Sequence, residues 1–342
     1  MELYAGLEVS LERTEICVVD GAGGIVWRGR TDTHPERIAD ALGWWRVALV
    51  KAGLETGSTT PWLARGLRAL GVPVVVMEAR RAADALKGRP VKTDRADARA
   101  LAEMLQTGWF TEVFVKSEQS HRLKALLLAR DQLVKMKRRL YGEIRGVLRP
   151  FGIRLPARAG TRRFDAAARA ACREDDVLHG CVHALPEALG AIEAQLAALE
   201  ERVRISTRSD ETAWRLMSVP GVGPVTALAF QAAIEDPDRF RRSRDVGACP
   251  GLTPRRYPSG ERDVTGHISR QGDAMARHDL YEAANCLLTT WSGRSALKSR
   301  GLSLARRIGA RRARVAVARK RACLLLRLCK DGNHDQEEMR MA

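Results

Sequence analysis

Apolar and polar residues alternate at the start of the chain. Leu3, Ala5, Leu7 and Val9 fall on one side, and Tyr4, Gly6, Glu8 and Ser10 on the other. A period of two predicts a strand over Leu3 to Ser10 with one buried face. Thr14 to Asp20 reads as a second strand, Asp20-Gly21-Ala22-Gly23-Gly24 as a hairpin turn, and Ile25 to Arg30 as a returning third strand. His34 to Lys51 has helical spacing, with Pro35 where a first turn tolerates it. Ala52 to Gly57 predicts a short strand, Pro61 to Leu70 a helix stopped by Gly71, and Val72 to Met77 a buried β-branched strand. The run from Val91 to Leu105 is helical, because Ala98, Leu101, Ala102 and Leu105 recur on one face.

A β-hairpin-β start followed by alternating helices and strands is a ribonuclease H-like α/β order, a mixed sheet flanked by helices. That order draws four acids together: Glu8 from the first strand, Glu55 from the fourth, and Asp94 and Asp97 from a late helix. Asp94 and Asp97 are three apart, so they share a face of the first turn. As an isolated pair they read first as helix-dipole partners, with Asp94 as a cap. Four converging carboxylates repel one another unless a cation lies between them. Oxygen donors favour Mg²⁺. Two such ions about 3.5–4 Å apart can stabilise both the attacking and the leaving oxygen of a phosphodiester.

Farther on, Ser117 to Arg149 is a long basic helix with Leu123, Leu126, Leu127, Leu133, Met136 and Leu140 as its apolar seam, ended by Pro150. Pro186 to Arg204 is a second helix, and Arg154 to Asp176 between them is expected to be an Ala- and Arg-rich loop. The pair fits a coiled-coil connector with an oligomerisation surface, or equally an αα-hairpin within one chain. The remainder is expected to be mostly α. Val219-Pro220-Gly221-Val222-Gly223 between two helices is a helix-hairpin-helix-like signal, whose Gly221 and Gly223 can expose backbone N–H groups to a phosphate. Pro258-Ser259-Gly260 is turn chemistry, with Arg255, Arg256, Arg262 and Arg270 around it as a phosphate clamp. The expected parts are 1–115, a connector over 116–206 and a C-terminal domain over 207–335.

Charge narrows the partners. The net charge of +17 over 342 residues points to a polyanion. It concentrates between Arg294 and Lys330, which hold thirteen Lys or Arg and no acid. Arg306, Arg307, Arg311, Arg312 and Arg314 are the densest part, and the run favours phosphate contact over a solvated face. Seven scattered cysteines without a C-x-x-C pair fit reduced thiols. Cys172, His179, Cys181 and His183 match no common zinc spacing. No apolar run suits a membrane span, and the start lacks a basic signal-peptide region, so a cytoplasmic bacterial protein is expected.

Taken together, Gly6-Leu7-Glu8-Val9-Ser10, Gly53-Leu54-Glu55-Thr56-Gly57, Lys92-Thr93-Asp94-Arg95-Ala96-Asp97-Ala98, Pro220-Gly221-Val222-Gly223-Pro224 and Gly251-Leu252-Thr253-Pro254 with the following Ser259-Gly260 and Ile268-Ser269-Arg270-Gln271-Gly272 resemble the insertion-sequence-110 family of transposases. The resemblance runs nearly end to end and in order. It implies a RuvC-like DEDD domain whose acids are Glu8, Glu55, Asp94 and Asp97 with Mg²⁺, and a C-terminal domain whose nucleophile is Ser259. The partners it implies are donor and target double-stranded DNA, a structured bridge RNA as guide, and further copies of the chain in a dimer or tetramer. It also implies a composite site between protomers. One position departs from the pattern: the first acid is usually Asp, and here it is Glu8.

Other readings stand beside this one. A metal-dependent nuclease or resolvase would use water and leave Ser259 a turn residue. A catalytically decayed remnant would bind nucleic acid without strand transfer. A sugar kinase-like ATPase is disfavoured, because no Gly-rich phosphate loop follows the acidic strands.

Overall fold

The computed structural model describes residues 1–78, 93–156, 160–172, 176–259 and 262–332. The chain divides into two compact units, Met1–Ser117 and a second beginning at Glu118.

The first unit is built on a five-stranded sheet in the order β3-β2-β1-β4-β5. Its strands are β1 (Leu3–Val9), β2 (Arg13–Asp20), β3 (Ile25–Asp32), β4 (Leu49–Glu55) and β5 (Val74–Met77). β1, β2 and β3 pair antiparallel, while β4 and β5 run parallel to β1. This is the mixed ribonuclease H-like sheet. The β2–β3 turn forms where expected. Asp20 Oδ1 accepts from the N–H groups of Ala22 and Gly24, and Gly23 adopts φ 83°.

Both faces of the sheet are covered, where alternation predicted one. Helices α1 (Pro35–Ala41) and α2 (Thr60–Ala69) pack Ile38, Leu63 and Leu67 against Leu3, Leu7 and Leu54. Helix α3 (Asp94–Thr107) covers the other face, where Ala98 and Ala102 meet Cys17 and Val19. The helix expected over His34 to Lys51 is much shorter. α1 stops at Ala41, a 3-10 turn follows at Gly43–Trp45, and β4 begins at Leu49. Ile38, Leu42, Trp45 and Leu49 keep helical spacing, but Leu49 pairs with Leu3 in the sheet.

The second unit opens with α4 (Glu118–Leu148), which passes through a short turn at Arg149–Phe151. The stretch expected to be a loop contains α5 (Thr161–Ala171), with Phe164 and Ala168 buried one turn apart. α6 (Asp176–Arg208) starts ten residues before the expected Pro186, which lies inside the helix. Pro186 forgoes one backbone hydrogen bond there, and the surrounding turns continue. α4 and α6 pack on each other within the chain, tied by Arg130–Glu200 (2.8 Å) and Lys137–Glu193 (2.6 Å). Leu127 and Val203 run into the core of the remaining helices.

Those helices are α7 (Glu211–Met217), α8 (Pro224–Ile234), α9 (Ala274–Thr289), α10 (Ala296–Ile308) and α11 (Ala310–Asp331). One feature departs from the expected α character, a two-stranded antiparallel ribbon of β6 (Pro254–Ser259) and β7 (Arg262–Ile268). Among the described residues, no helix is long and apolar enough to cross a membrane.

Candidate active site and nucleic-acid interface

The acids of the first unit are placed by two glycines. Gly6 and Gly53 are register partners on β1 and β4. A Cβ on Gly6 would stand 1.9 Å from the Ala98 carbonyl oxygen, and one on Gly53 would stand 2.7 Å from Leu105 Cδ1. Only glycine lets α3 lie this close to the sheet. Glu8 and Glu55 are two residues beyond these glycines, so they project from the α3 face. The direction of α3 follows from its two ends. Near its start, Arg95 pairs with Glu15, which is directly opposite Glu8 in the ladder. Near its end, Gln106 Nε2 donates to Gly21 O at the far tip of β2. The first turn of α3 thus lies at the same end and on the same face of the sheet as Glu8 and Glu55.

Local chemistry fixes each position. Thr93, not Asp94, caps α3: its side chain accepts from Ala96 N–H. Asp94 is exposed and Asp97 is buried, at 8%. Beyond Glu55, Thr60 Oγ1 donates to Glu55 O and accepts from Gly57 N–H, while Thr56 N–H donates to Met77 O. The loop after the strand is therefore held on both sides. Among the described residues, no three His, Cys, Asp or Glu side chains are grouped closely enough to hold an ion. The fold brings the four backbone positions to one end of the sheet without closing their carboxylates around a point. Lys92, next to this helix, lies outside the described residues.

Glu15 is an acid that composition and spacing passed over. Its side chain is 14% exposed and pairs with Arg30 at 3.3 Å and Arg95 at 3.7 Å. Counting back from the β1–β2 turn would have set it opposite Glu8.

In the second unit, Ser259 ends β6 and is paired with Arg262 across the ribbon; Gly260 and Glu261 lie outside the described residues, as do the side chains of Ser259 and Arg262. The base of the ribbon is tightly built. Arg277 Nη1 on α9 donates to Pro250 O (2.8 Å) and Arg270 O (3.1 Å), and Arg255 donates to Ser269 O. Asp273 accepts from Met275 and Ala276 N–H as the cap of α9 and pairs with Lys124 of α4 at 2.7 Å. Arg270 holds φ 55°, a left-handed conformation unusual for a residue with a side chain. Arg255, Arg256 and Arg270 are exposed.

The two glycines of the α7–α8 turn differ. Gly221 has φ 78°, and a Cβ there would meet Ala283 O at 3.0 Å and the buried Arg321 guanidinium at 3.2 Å. Its glycine is required by packing. Gly223 faces open space at the N-terminus of α8 with no side-chain cap, so it is the half of the motif with room for a ligand. In the basic run, Arg306 and Arg307 end α10, and Arg311, Arg312 and Arg314 begin α11, joined through Gly309 at φ 86°. The first four are exposed and Arg314 is half-buried.

Residues 5–152 match the DEDD transposase model of the IS110 group, and residues 213–301 match the model for the IS116/IS110/IS902 family of transposases. The chain is 30% identical over 334 residues to the transposase for insertion sequence element IS1111A of Coxiella burnetii, covering 94% of this chain and 87% of that protein. The chain belongs to the IS116/IS110/IS902 family of transposases. A probable family 20 transposase of Pseudomonas aeruginosa is 31% identical over 279 residues, covering 79% and 80% of the two chains. The transposase for insertion sequence element IS1328 of Yersinia enterocolitica is 27% identical over 231 residues, covering 68% and 69%. The first unit is thus a ribonuclease H-like DEDD transposase domain, and the family's activity is the cutting and rejoining of DNA.

Proposed function

We propose that this transposase joins DNA through a covalent serine intermediate, with Glu8, Glu55, Asp94 and Asp97 as a Mg²⁺-binding set and Ser259 as nucleophile. The observation that carries the metal half is the meeting of β1, β4 and the first turn of α3 at one end of the sheet. Its donors are all carboxylate oxygens, the chemistry Mg²⁺ prefers over nitrogen or sulfur. When bound, a pair of such ions supplies charge stabilisation to a phosphodiester's attacking and leaving oxygens.

For the serine half, support comes from position. Ser259 stands where the ribbon turns, and its base is fixed by Arg277, Arg255 and the Lys124–Asp273 pair. In the proposed step the Ser259 Oγ–phosphorus bond forms as a phosphorus–oxygen bond of the DNA backbone breaks. The Ser259 proton is lost, and the departing deoxyribose oxygen takes up a proton. The ester retains the bond energy for rejoining. Arg255, Arg256, Arg262 and Arg270 are the proposed phosphate ligands around it. Gly223, with Gly221 shaping the turn, offers backbone N–H groups, and the five arginines from Arg306 to Arg314 add affinity without base preference.

The proposal extends to a bridge RNA as guide, to donor and target duplexes, and to a dimer or tetramer. The functional parts are 1–115, the α4–α6 connector over 116–206, and 207–335.

The test uses the full chain with Mg²⁺ and radiolabelled DNA carrying the element's ends. Ser259→Ala is expected to keep its fold and nucleic-acid affinity, at a stability cost of about 1 kcal/mol or less. It should lose both the protein–DNA adduct on a denaturing gel and all strand transfer. Normal recombination by Ser259→Ala would overturn the nucleophile and favour a water-using nuclease.

A further inference from the structure

Between α8 and the ribbon, four of the six residues from Arg239 to Arg244 are arginine. The segment is held down at both ends. Lys330 Nζ near the end of α11 donates to Phe240 O (2.9 Å). A 3-10 turn at Ser243–Ala248 then packs on α11 and sinks Val246 into the core that holds Val317 and Ala318. Leu252 N–H donates to Gly247 O (2.9 Å), which ties this turn to the last residues before β6. Arg241, Arg242 and Arg244 stand exposed on that fixed backbone.

Gly247 brings in an arginine from elsewhere in the chain. It is buried, and a Cβ there would stand 3.2 Å from Arg319 Cγ and 3.3 Å from Arg319 Nε. The missing side chain is the seat on which Arg319 of α11 lies. Residues three apart in a 3-10 helix eclipse one another, so Arg244 is on the Gly247 face, roughly 6 Å along the turn. Arg244 and Arg319 therefore share one patch. Among the described residues neither is in an ion pair, and Asp245, the acid of the turn, pairs with neither. Further cations flank Arg319 on α11. Burial raises the Cys323 thiol, and Lys320, Arg319 and Arg327 work against that rise.

Two guanidiniums held on one face repel each other, and an anion between them turns that repulsion into attraction. Phosphate suits them best, because its oxygens accept the paired N–H groups of each fork. We propose that Arg244 and Arg319, seated at Gly247, clamp one backbone phosphate of duplex DNA. A polymer fits better than a free phosphate, since Arg241, Arg242, Lys320 and Arg327 carry the charge beyond a single anion. DNA is the polymer because the family cuts and rejoins it, and because the turn leads straight into the ribbon. β6 spans roughly 17 Å from Pro254 to Ser259, about five steps of a duplex strand at ~3.4 Å each. A duplex lying along the ribbon thus comes within reach of the clamp. The inference rests on the reading that this chain holds DNA, and not on Ser259 as nucleophile.

The test measures binding of the full chain to a labelled DNA duplex, and to a structured RNA of equal charge, by fluorescence anisotropy over a range of salt. The double variant Arg244→Gln, Arg319→Gln is expected to flatten the slope of log K against log salt on the duplex by about 0.9, one phosphate contact. At ~0.1 M salt that is a loss of about eightfold. Either single variant should give most of this loss, because both arginines grip the same phosphate. Gly247→Ala keeps every charge but crowds Arg319 on its seat, and should give part of it. Arg244 is exposed, so Arg244→Gln should melt with the natural chain and separates binding from folding. A natural chain that held no duplex would overturn the DNA reading and the clamp together. Duplex binding by the natural chain, with an unchanged slope in the double variant, would overturn the clamp alone. So would a slope change of about 1.8, which means two separate phosphates, or a loss confined to the RNA.

Discussion

Gly6 lies directly beneath the Ala98 carbonyl, which a Cβ at Gly6 would approach to 1.9 Å, with Ala102 N at 2.5 Å. The obstacles are helix backbone, which cannot swing aside as a side-chain tip can. Gly6→Ala should therefore lift α3 off β1. The expected cost is about 1–3 kcal/mol, the usual penalty of overpacking, read as a lower urea midpoint. On the proposed metal set, strand transfer should fall further than stability does, because Asp94 and Asp97 move with the helix. An unchanged midpoint would mean that α3 is not seated by this contact.

Asp279 offers a pH test in the second unit. Its side chain is 13% exposed, Oδ1 lies 3.1 Å from His278 Nδ1, and Oδ2 has no hydrogen-bond partner among the described residues. Burial pushes its carboxyl above the usual range. The His278 contact works against that shift, as does Arg130, while Asp131 adds to it. The folded state then holds this proton more tightly than the unfolded chain. Ionisation costs stability as pH rises through the folded value, and the cost fades as pH falls towards the unfolded value of about 3.9. Asp279→Asn should be more stable than the natural chain at pH 8, with the difference shrinking towards pH 4. Equal urea midpoints at pH 8 would contradict this.

Which parts were legible follows from range along the chain. The β1–β2–β3 meander and its Asp20 turn depend on alternation and local hydrogen bonds, and both can be read from neighbouring residues. Helix α3 was legible for the same reason, though its cap is Thr93. α1 was overextended because Leu49 fits a helical stripe as well as a strand, and only pairing with Leu3 decides between them. α5 contradicts the expected loop: Phe164, Ala168 and Cys172 keep helical spacing, and its Ala and Arg residues are strong helix formers, so the signal was local and legible. β6 carries Arg255, Arg256 and two prolines in place of an alternating apolar face, so little local pattern announces that strand, whereas Val264 and Ile268 of β7 do fall on one face. In the candidate site, the strand and helix order places the backbone positions of Glu8, Glu55, Asp94 and Asp97 at one end of the sheet, but the expected convergence of their carboxylates is not seen: among the described residues no three acids are grouped closely enough to hold an ion. The Glu15 pairs with Arg30 and Arg95, and the Lys124–Asp273 pair 149 residues apart, needed three-dimensional placement.

Glu8 is where the proposed metal set is most exposed to refutation. It is half-buried on the α3 face of β1, two residues past Gly6 and directly opposite Glu15. Like charges facing each other across a ladder destabilise it, and here Arg30 and Arg95 offset the charge of Glu15. The family resemblance implies Asp at this position, and Glu carries its carboxylate roughly 1.3 Å farther along the side chain. Mg²⁺ holds oxygen at about 2.0–2.1 Å in near-octahedral geometry, so a shift of that size matters. Misplacement on this scale at a reacting centre costs on the order of 10²-fold in rate. Glu still supplies the right charge and donor atom. The natural chain should therefore bind Mg²⁺ and recombine DNA slowly, with Glu8→Asp faster and Glu8→Ala inactive. Recombination rates of the three under identical Mg²⁺ check this, alongside Mg²⁺ binding by calorimetry as a readout separate from turnover. If Glu8→Ala matched the natural chain in both, while Glu8→Asp gained nothing, Glu8 would not be a metal ligand.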